Sequence, residues 1–253
     1  IIVVRGQTLH HRVQLAGCYA VFFQICIHMR IFLMVLLFVT QVAFSQKTEV
    51  RRFDRFNALR VSSGIDVKLV RGETNTATIE VSGIRLDEVI TEVQGNTLKI
   101  SLNKPRINDR SDVKIELTYR ELSRISASAA AAVFGSAVIR SETVELSVSS
   151  AGTIEVVVEA DRLLAEASTA GSMVLSGKAA KFDLSASTSS SIDAYQLESQ
   201  VVKANVSTAS DARVNVVREI EAEASTAGSI RYRGNPDRSN CSSTTAGSIR
   251  RMD

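Results

Sequence analysis

The chain has no tryptophan, and only three histidines and three cysteines among its 253 residues. All three histidines (His10, His11, His28) and two cysteines (Cys18, Cys26) lie before residue 46, so the rest of the chain keeps a single cysteine, Cys241, and no histidine. A Ser-His-Asp triad or a His-ligated zinc site cannot be assembled there, and one thiol makes neither an internal disulfide nor a thiolate cluster. Charge of one sign is also missing. Of 30 basic and 27 acidic residues, only Arg5, Arg12 and Arg30 precede residue 46, which leaves the remainder at zero net charge. That balance argues against nucleic acid as a partner. No cofactor is expected, and the Gly-Gly-x-Gly-x-Asp pattern of calcium-loaded β-rolls is absent.

What is present is a repeat. The motif appears as Ser149-Ser150-Ala151-Gly152-Thr153-Ile154, Ser168-Thr169-Ala170-Gly171-Ser172-Met173, Ser225-Thr226-Ala227-Gly228-Ser229-Ile230 and Thr244-Thr245-Ala246-Gly247-Ser248-Ile249. Weaker copies at 128–133, 187–192 and 207–212 place an apolar anchor at Val133, Ile154, Met173, Ile192, Ala212, Ile230 and Ile249, spaced by 18 to 21 residues. Eight residues before the anchor stand Ile125, Leu146, Ala165, Leu184, Ala204, Ala222 and Cys241, and six before it the column is again almost wholly small or apolar. A period of two fits strands better than helix. The expected fold is all-β: a right-handed, single-stranded parallel β-helix with coils of about 19 residues and an N-terminal β-hairpin cap region. Each repeat reads as two strands joined at the Ala-Gly or Ser-Ser step, where glycine admits unusual dihedrals. Cys241 falls in an inward column and is expected as a small core filler.

The organisation follows from composition. Residues 1–28 are expected to be untranslated upstream sequence or a leader extension, because the first methionine is Met29. Residues 29–45 read as a signal peptide, with Arg30, an apolar run over 31–39 and Ala43-Phe44-Ser45 before a cleavage point near Gln46. The alternative is an uncleaved anchor, since apolar sequence begins near Cys18. Residues 46–120 hold a polar lead-in, a first coil around Ser62-Ser63-Gly64 and a hairpin at Gln94-Gly95-Asn96, and residues 121–253 hold the repeat coils. The location expected is therefore export, to the periplasm, the outer-membrane surface or the medium.

Val61-Ser62-Ser63-Gly64-Ile65-Asp66-Val67, then Gly95-Asn96-Thr97-Leu98-Lys99-Ile100, then the Ser-Thr-Ala-Gly-Ser-Ile repeats resemble, in that order, the family called putative auto-transporter adhesin, head GIN domain. The resemblance covers about residues 53–250, with Asp66 where the family name suggests asparagine. It implies an exported β-helix common in Bacteroidetes-like bacteria, and it transfers no catalytic or ligand residue.

Function is then expected at the surface. Alternation points Ser150, Thr169, Thr188, Thr208, Thr226 and Thr245 inward, their hydroxyls bonding the backbone at each bend. It points Ser149, Ser168, Ser187, Ser207, Ser225 and Thr244 outward as the candidate binding face. Nine residues before the anchor, Arg124 beside Glu145, and Lys203 between Asp183 and Glu221, are expected to form ion pairs along the stack. The reading is a non-enzymatic adhesion or envelope-binding module whose partner is a glycan or a surface protein, with end-to-end self-association through the last coil. A periplasmic structural or signalling component is the alternative, and a carboxylate-based glycosidase is a weaker third.

Overall fold

The computed structural model describes residues 47–104 and 112–252. The expected leader and signal segments, the cleavage point and all three histidines lie outside the described residues. Sixteen strands form one continuous sheet. In chain order they are β1 (Lys47–Arg52), β2 (Ala58–Val61), β3 (Asp66–Arg71), β4 (Thr76–Ser82), β5 (Val89–Gln94), β6 (Thr97–Leu102), β7 (Asp112–Tyr119), β8 (Arg124–Ala127), β9 (Ala132–Val148), β10 (Thr153–Ala167), β11 (Ser172–Ala186), β12 (Ser191–Val206), β13 (Asp211–Ala224), β14 (Ser229–Arg233), β15 (Arg238–Ser243) and β16 (Ser248–Arg251). No helix among the described residues is long and apolar enough to cross a membrane.

From β8 onward each coil pairs in parallel with the next, as the repeat requires. Ile154 faces Val133 and Met173, and Leu184 faces Ala165 and Ala204. Stacking turns each inward column into an apolar ladder. The longest runs Ile79, Ile115, Val67, Val133, Ile154, Met173, Ile192, Ala212, Ile230, every one at most 1% exposed. Each such Ile or Val contributes about 1.5–3 kcal/mol. The parallel ladder is regular because the same residue type recurs at the same height in each coil.

The two-strand repeat expected from the motif is replaced by one long strand per full coil. In β10, Ile154, Val156 and Val158 point inward, and so do Leu163, Ala165 and Ala167. The five-residue step from 158 to 163 reverses the parity, so the strand rounds an exposed corner without breaking its ladder. The motif makes the other, tighter corner. There the left-handed dihedrals belong to the second and third positions, such as Thr169 (φ 49°) and Ala170 (φ 59°), and not to the glycine that follows. Glycine is required for closeness: a Cβ on Gly152 or Gly228 would stand 2.7 or 2.5 Å from the carbonyl oxygen of the preceding coil. Two adjacent coils carry serine instead. Ser190 Oγ donates to the Ala167 carbonyl at 3.0 Å, and Ser210 Oγ accepts from the Ser190 N–H at 3.1 Å, so crowding becomes hydrogen bonding.

The N-terminal region is stacked out of chain order. The coil formed by β2 and β3 lies between β8 and β9 on one side and the later strands β6 and β7 on the other, all in parallel. The hairpin of β5 and β6, closed by Gly95-Asn96, therefore adds a coil and ends it with antiparallel β5, while β4 and then β1 end the other side. The residues expected as a polar lead-in thus include a strand, β1. At the opposite end β15 is exposed along its length, so Cys241 is exposed rather than a core filler. Its column points inward, but no described strand lies beyond it to cover it.

Candidate binding face

The motif corner decides where the serine and threonine rows go. Ser149, Ser168, Ser187, Ser207 and Ser225 are half-buried and Thr244 is exposed, while their backbone N–H groups donate to the preceding coil, as from Ser168 to the Val148 carbonyl at 2.9 Å. The row expected inward, Ser150, Thr169, Thr188, Thr208, Thr226 and Thr245, is instead exposed at the tip of the corner. Two successive left-handed residues turn the chain back and stop the alternation on which the inward assignment rested. Their carbonyls continue the ladder, with Ala151 N–H donating to Thr169 O and Ala170 N–H to Thr188 O, both at 3.0 Å. Backbone groups at the corner are bonded instead by Ser190 and Ser210, two residues after the threonine row and three after the serine row.

Polar chemistry gathers beside this corner, on the flat side built by the second half of each coil. The outward columns nine and seven residues before the anchors hold Arg124, Glu145, Leu164, Asp183 and Lys203, then Ser126, Ser147, Glu166, Ser185 and Asn205. They line a shallow groove of about 580 Å³ that extends to Arg60. Six coils spaced about 4.8 Å apart make it about 24 Å long. Leu164, half-buried, interrupts the charges near its middle. Arg124 Nε lies 2.6 Å from Glu145 Oε2, Arg162 Nη2 is 2.8 Å from Asp183 Oδ2, and Lys203 Nζ is 3.1 Å from Glu221 Oε1. The first and third pairs are those expected. Asp183 pairs with Arg162 rather than Lys203, a corner arginine that alternation alone did not place beside it.

Glu145 is tuned away from acid catalysis. The hydrogen bond from Arg124 holds the Glu145 carboxyl below the usual glutamate range, and the same contact raises Arg124. A general acid in a glycosidase needs the opposite shift. Among the described residues no three His, Cys, Asp or Glu side chains converge as a metal site. The other flat side carries a smaller hollow of about 440 Å³ around Phe134, which is 39% exposed, with Lys68 Nζ 3.0 Å from Glu116 Oε2 beside it.

A parallel β-solenoid with antiparallel cap strands belongs to the class of repeat folds whose stacked coils build extended surfaces. Residues 55–236 match the family described as putative auto-transporter adhesin, head GIN domain, and the chain belongs to that family. A putative adhesin from Bacteroides fragilis NCTC 9343 has a crystal structure that superposes with a TM-score of 0.71 at 19% identity, covering 83% of this chain and 98% of its own. One from Parabacteroides merdae ATCC 43184 gives 0.63 at 20% identity over 82% and 96%. A putative lipid binding protein from Parabacteroides distasonis ATCC 8503 gives 0.61 at 17% identity over 82% and 97%. At these identities the likeness establishes the fold. No curated protein matches the chain in sequence.

Proposed function

We propose that this protein is an exported, non-enzymatic binding module that holds an extended glycan or a segment of an envelope protein along the groove around Leu164. The observation that carries the reading is the groove's continuity: outward side chains of six consecutive coils line one trough, and charges of both signs stand along it. Charged side chains of both signs along such a trough suit a long polar chain, which can pair with them coil by coil. Export is supported by the signal-like pattern of residues 29–45, and the family name points the same way.

Two measurements test it. Protease shaving of intact cells, with an outer-membrane-permeabilised control, reports location: digestion on intact cells supports surface display, whereas protection until permeabilisation favours the periplasmic component. Binding of the purified protein to immobilised polysaccharides and envelope fractions, compared with Leu164→Glu, tests the groove. Retention lost in the variant with an unchanged melting temperature supports the assignment. Retention equal in both proteins refutes it, and polysaccharide turnover abolished by Glu145→Gln would replace it with an enzyme.

A further inference from the structure

A second cavity lies away from the repeat groove and shares no residue with it. It measures about 550 Å³, within the range of about 300–1,000 Å³ typical of small-ligand sites. Three connections build it: the link from β1 to β2, the turn from β3 to β4, and the link from β7 to β8. Asn75 ties them together. Its carbonyl accepts from the Phe53 N–H at 2.9 Å, its Nδ2 donates to the Asp54 carbonyl at 3.1 Å, and its Oδ1 accepts from the Arg120 N–H at 3.2 Å. Gly72 N–H adds a bond to the Tyr119 carbonyl at 2.9 Å. The cavity walls are thus set before any ligand arrives, which lowers the ordering cost of binding.

Its side chains are of four kinds. Phe53 is half-buried and held edge-on to buried Phe56, with ring centroids 6.5 Å apart at 75°, so its ring is fixed as a platform. Arg55 is committed, its Nη2 2.8 Å from Glu121 Oε2. Arg52 and Arg120 are exposed and have no ion-pair partner among the described residues. Glu73 lines the same cavity with its carboxylate likewise uncommitted among those residues. Two guanidiniums outside any salt bridge suit a carboxylate, which they can grip through paired N–H donors, although Arg120 also feels the Glu121 charge. A lone carboxylate in the same cavity accepts hydroxyl donors, and a fixed aromatic ring packs against the C–H face of a pyranose.

We infer that this cavity binds an acidic saccharide, its carboxylate on Arg52 and Arg120, its ring against Phe53 and its hydroxyls on Glu73. A simple anion leaves Phe53 and Glu73 unused, and a neutral sugar leaves both arginines unused.

Isothermal titration of the purified protein with digalacturonate, its dimethyl ester and inorganic phosphate tests this. Digalacturonate is expected to bind, with the ester weaker by about tenfold or more and phosphate weaker still. Arg52→Gln and Arg120→Gln, both at exposed positions, should each weaken binding by about tenfold at unchanged melting temperature. Leu164→Glu should leave this binding intact, which separates the outcome from that of the groove. Equal affinity for acid and ester, binding that survives the double arginine variant, or phosphate binding as tight as the saccharide would each overturn the assignment, as would no binding at about 10 mM digalacturonate.

Discussion

Gly177 offers the sharpest test of how the coils are packed. It lies in β11 opposite Val158 of the preceding coil and Leu197 of the next, with φ at +111°. A Cβ there would stand 2.1 Å from the Val158 carbonyl oxygen and 3.0 and 3.1 Å from the Val158 carbonyl carbon and nitrogen. Those are ladder atoms, held on both sides, and cannot swing away as a side-chain tip can. Gly177→Ala therefore incurs about 1–3 kcal/mol for a non-glycine residue at such a dihedral, and about 1–3 kcal/mol more for pushing neighbouring coils apart. The expected loss is about 2–6 kcal/mol, a large share of the 5–15 kcal/mol that ordinarily holds a domain together. Gly95→Ala is the control. Its φ is +61° in the hairpin turn and no atom lies within 4 Å of the added Cβ, so only the left-handed backbone is charged, about 1–2 kcal/mol. Guanidinium unfolding followed by far-ultraviolet circular dichroism measures both. A Gly177→Ala loss no greater than that of Gly95→Ala would refute the claim that contact between coils, and not local dihedral preference, governs this position.

Other outcomes follow from single groups. Ser199 is fully buried and its hydroxyl has no partner among the described residues, so Ser199→Ala should stabilise the protein by about 1–2 kcal/mol in the same unfolding assay. The Tyr119 hydroxyl is also buried without a partner among the described residues, and burial pushes its pKa up. The folded state keeps the phenol neutral while the unfolded chain ionises it, so stability is fully present below the ordinary tyrosine value and falls as pH rises from there through the raised one. Tyr119→Phe should flatten that alkaline decline in a series of unfolding curves. Cys241 is exposed on β15, so a thiol reagent should label it in the folded protein at the rate seen after denaturation, and protection until unfolding would show the last coil covered.

Much of this architecture was legible because a solenoid repeats its environment. The anchors from Val133 to Ile230 each see the same neighbours above and below, so one pattern read six times predicts one ladder. The strands β4 and β6 fall where alternation begins and ends, and Gly95-Asn96 closes its hairpin for the same local reason. The ion pairs Arg124 with Glu145 and Lys203 with Glu221 were legible too, since equal columns in adjacent coils are direct neighbours. The serine row stands half-buried at the motif corner, while its threonine neighbours, read as inward, are exposed. Alternation describes extended backbone and carries no information through Thr169-Ala170, where φ is positive twice in succession.

The sequence by itself determined the class of fold, the coil length and the identity of the inward columns, because side-chain period and repeat period are properties of the chain read in one dimension. Three things were decided only when the coils were stacked. Which hydroxyl row is exposed depends on the dihedrals of a corner whose carbonyls bond to the next coil. Whether Cys241 is core or surface depends on whether a further coil lies over it, which its column cannot express. The groove around Leu164 and the cavity around Phe53 exist because coils and loops distant in sequence come together, β6 and β7 passing beneath a coil that precedes them and Asn75 joining three connections. Burial, coverage and convergence are relations between separate segments, and only the folded chain supplies them.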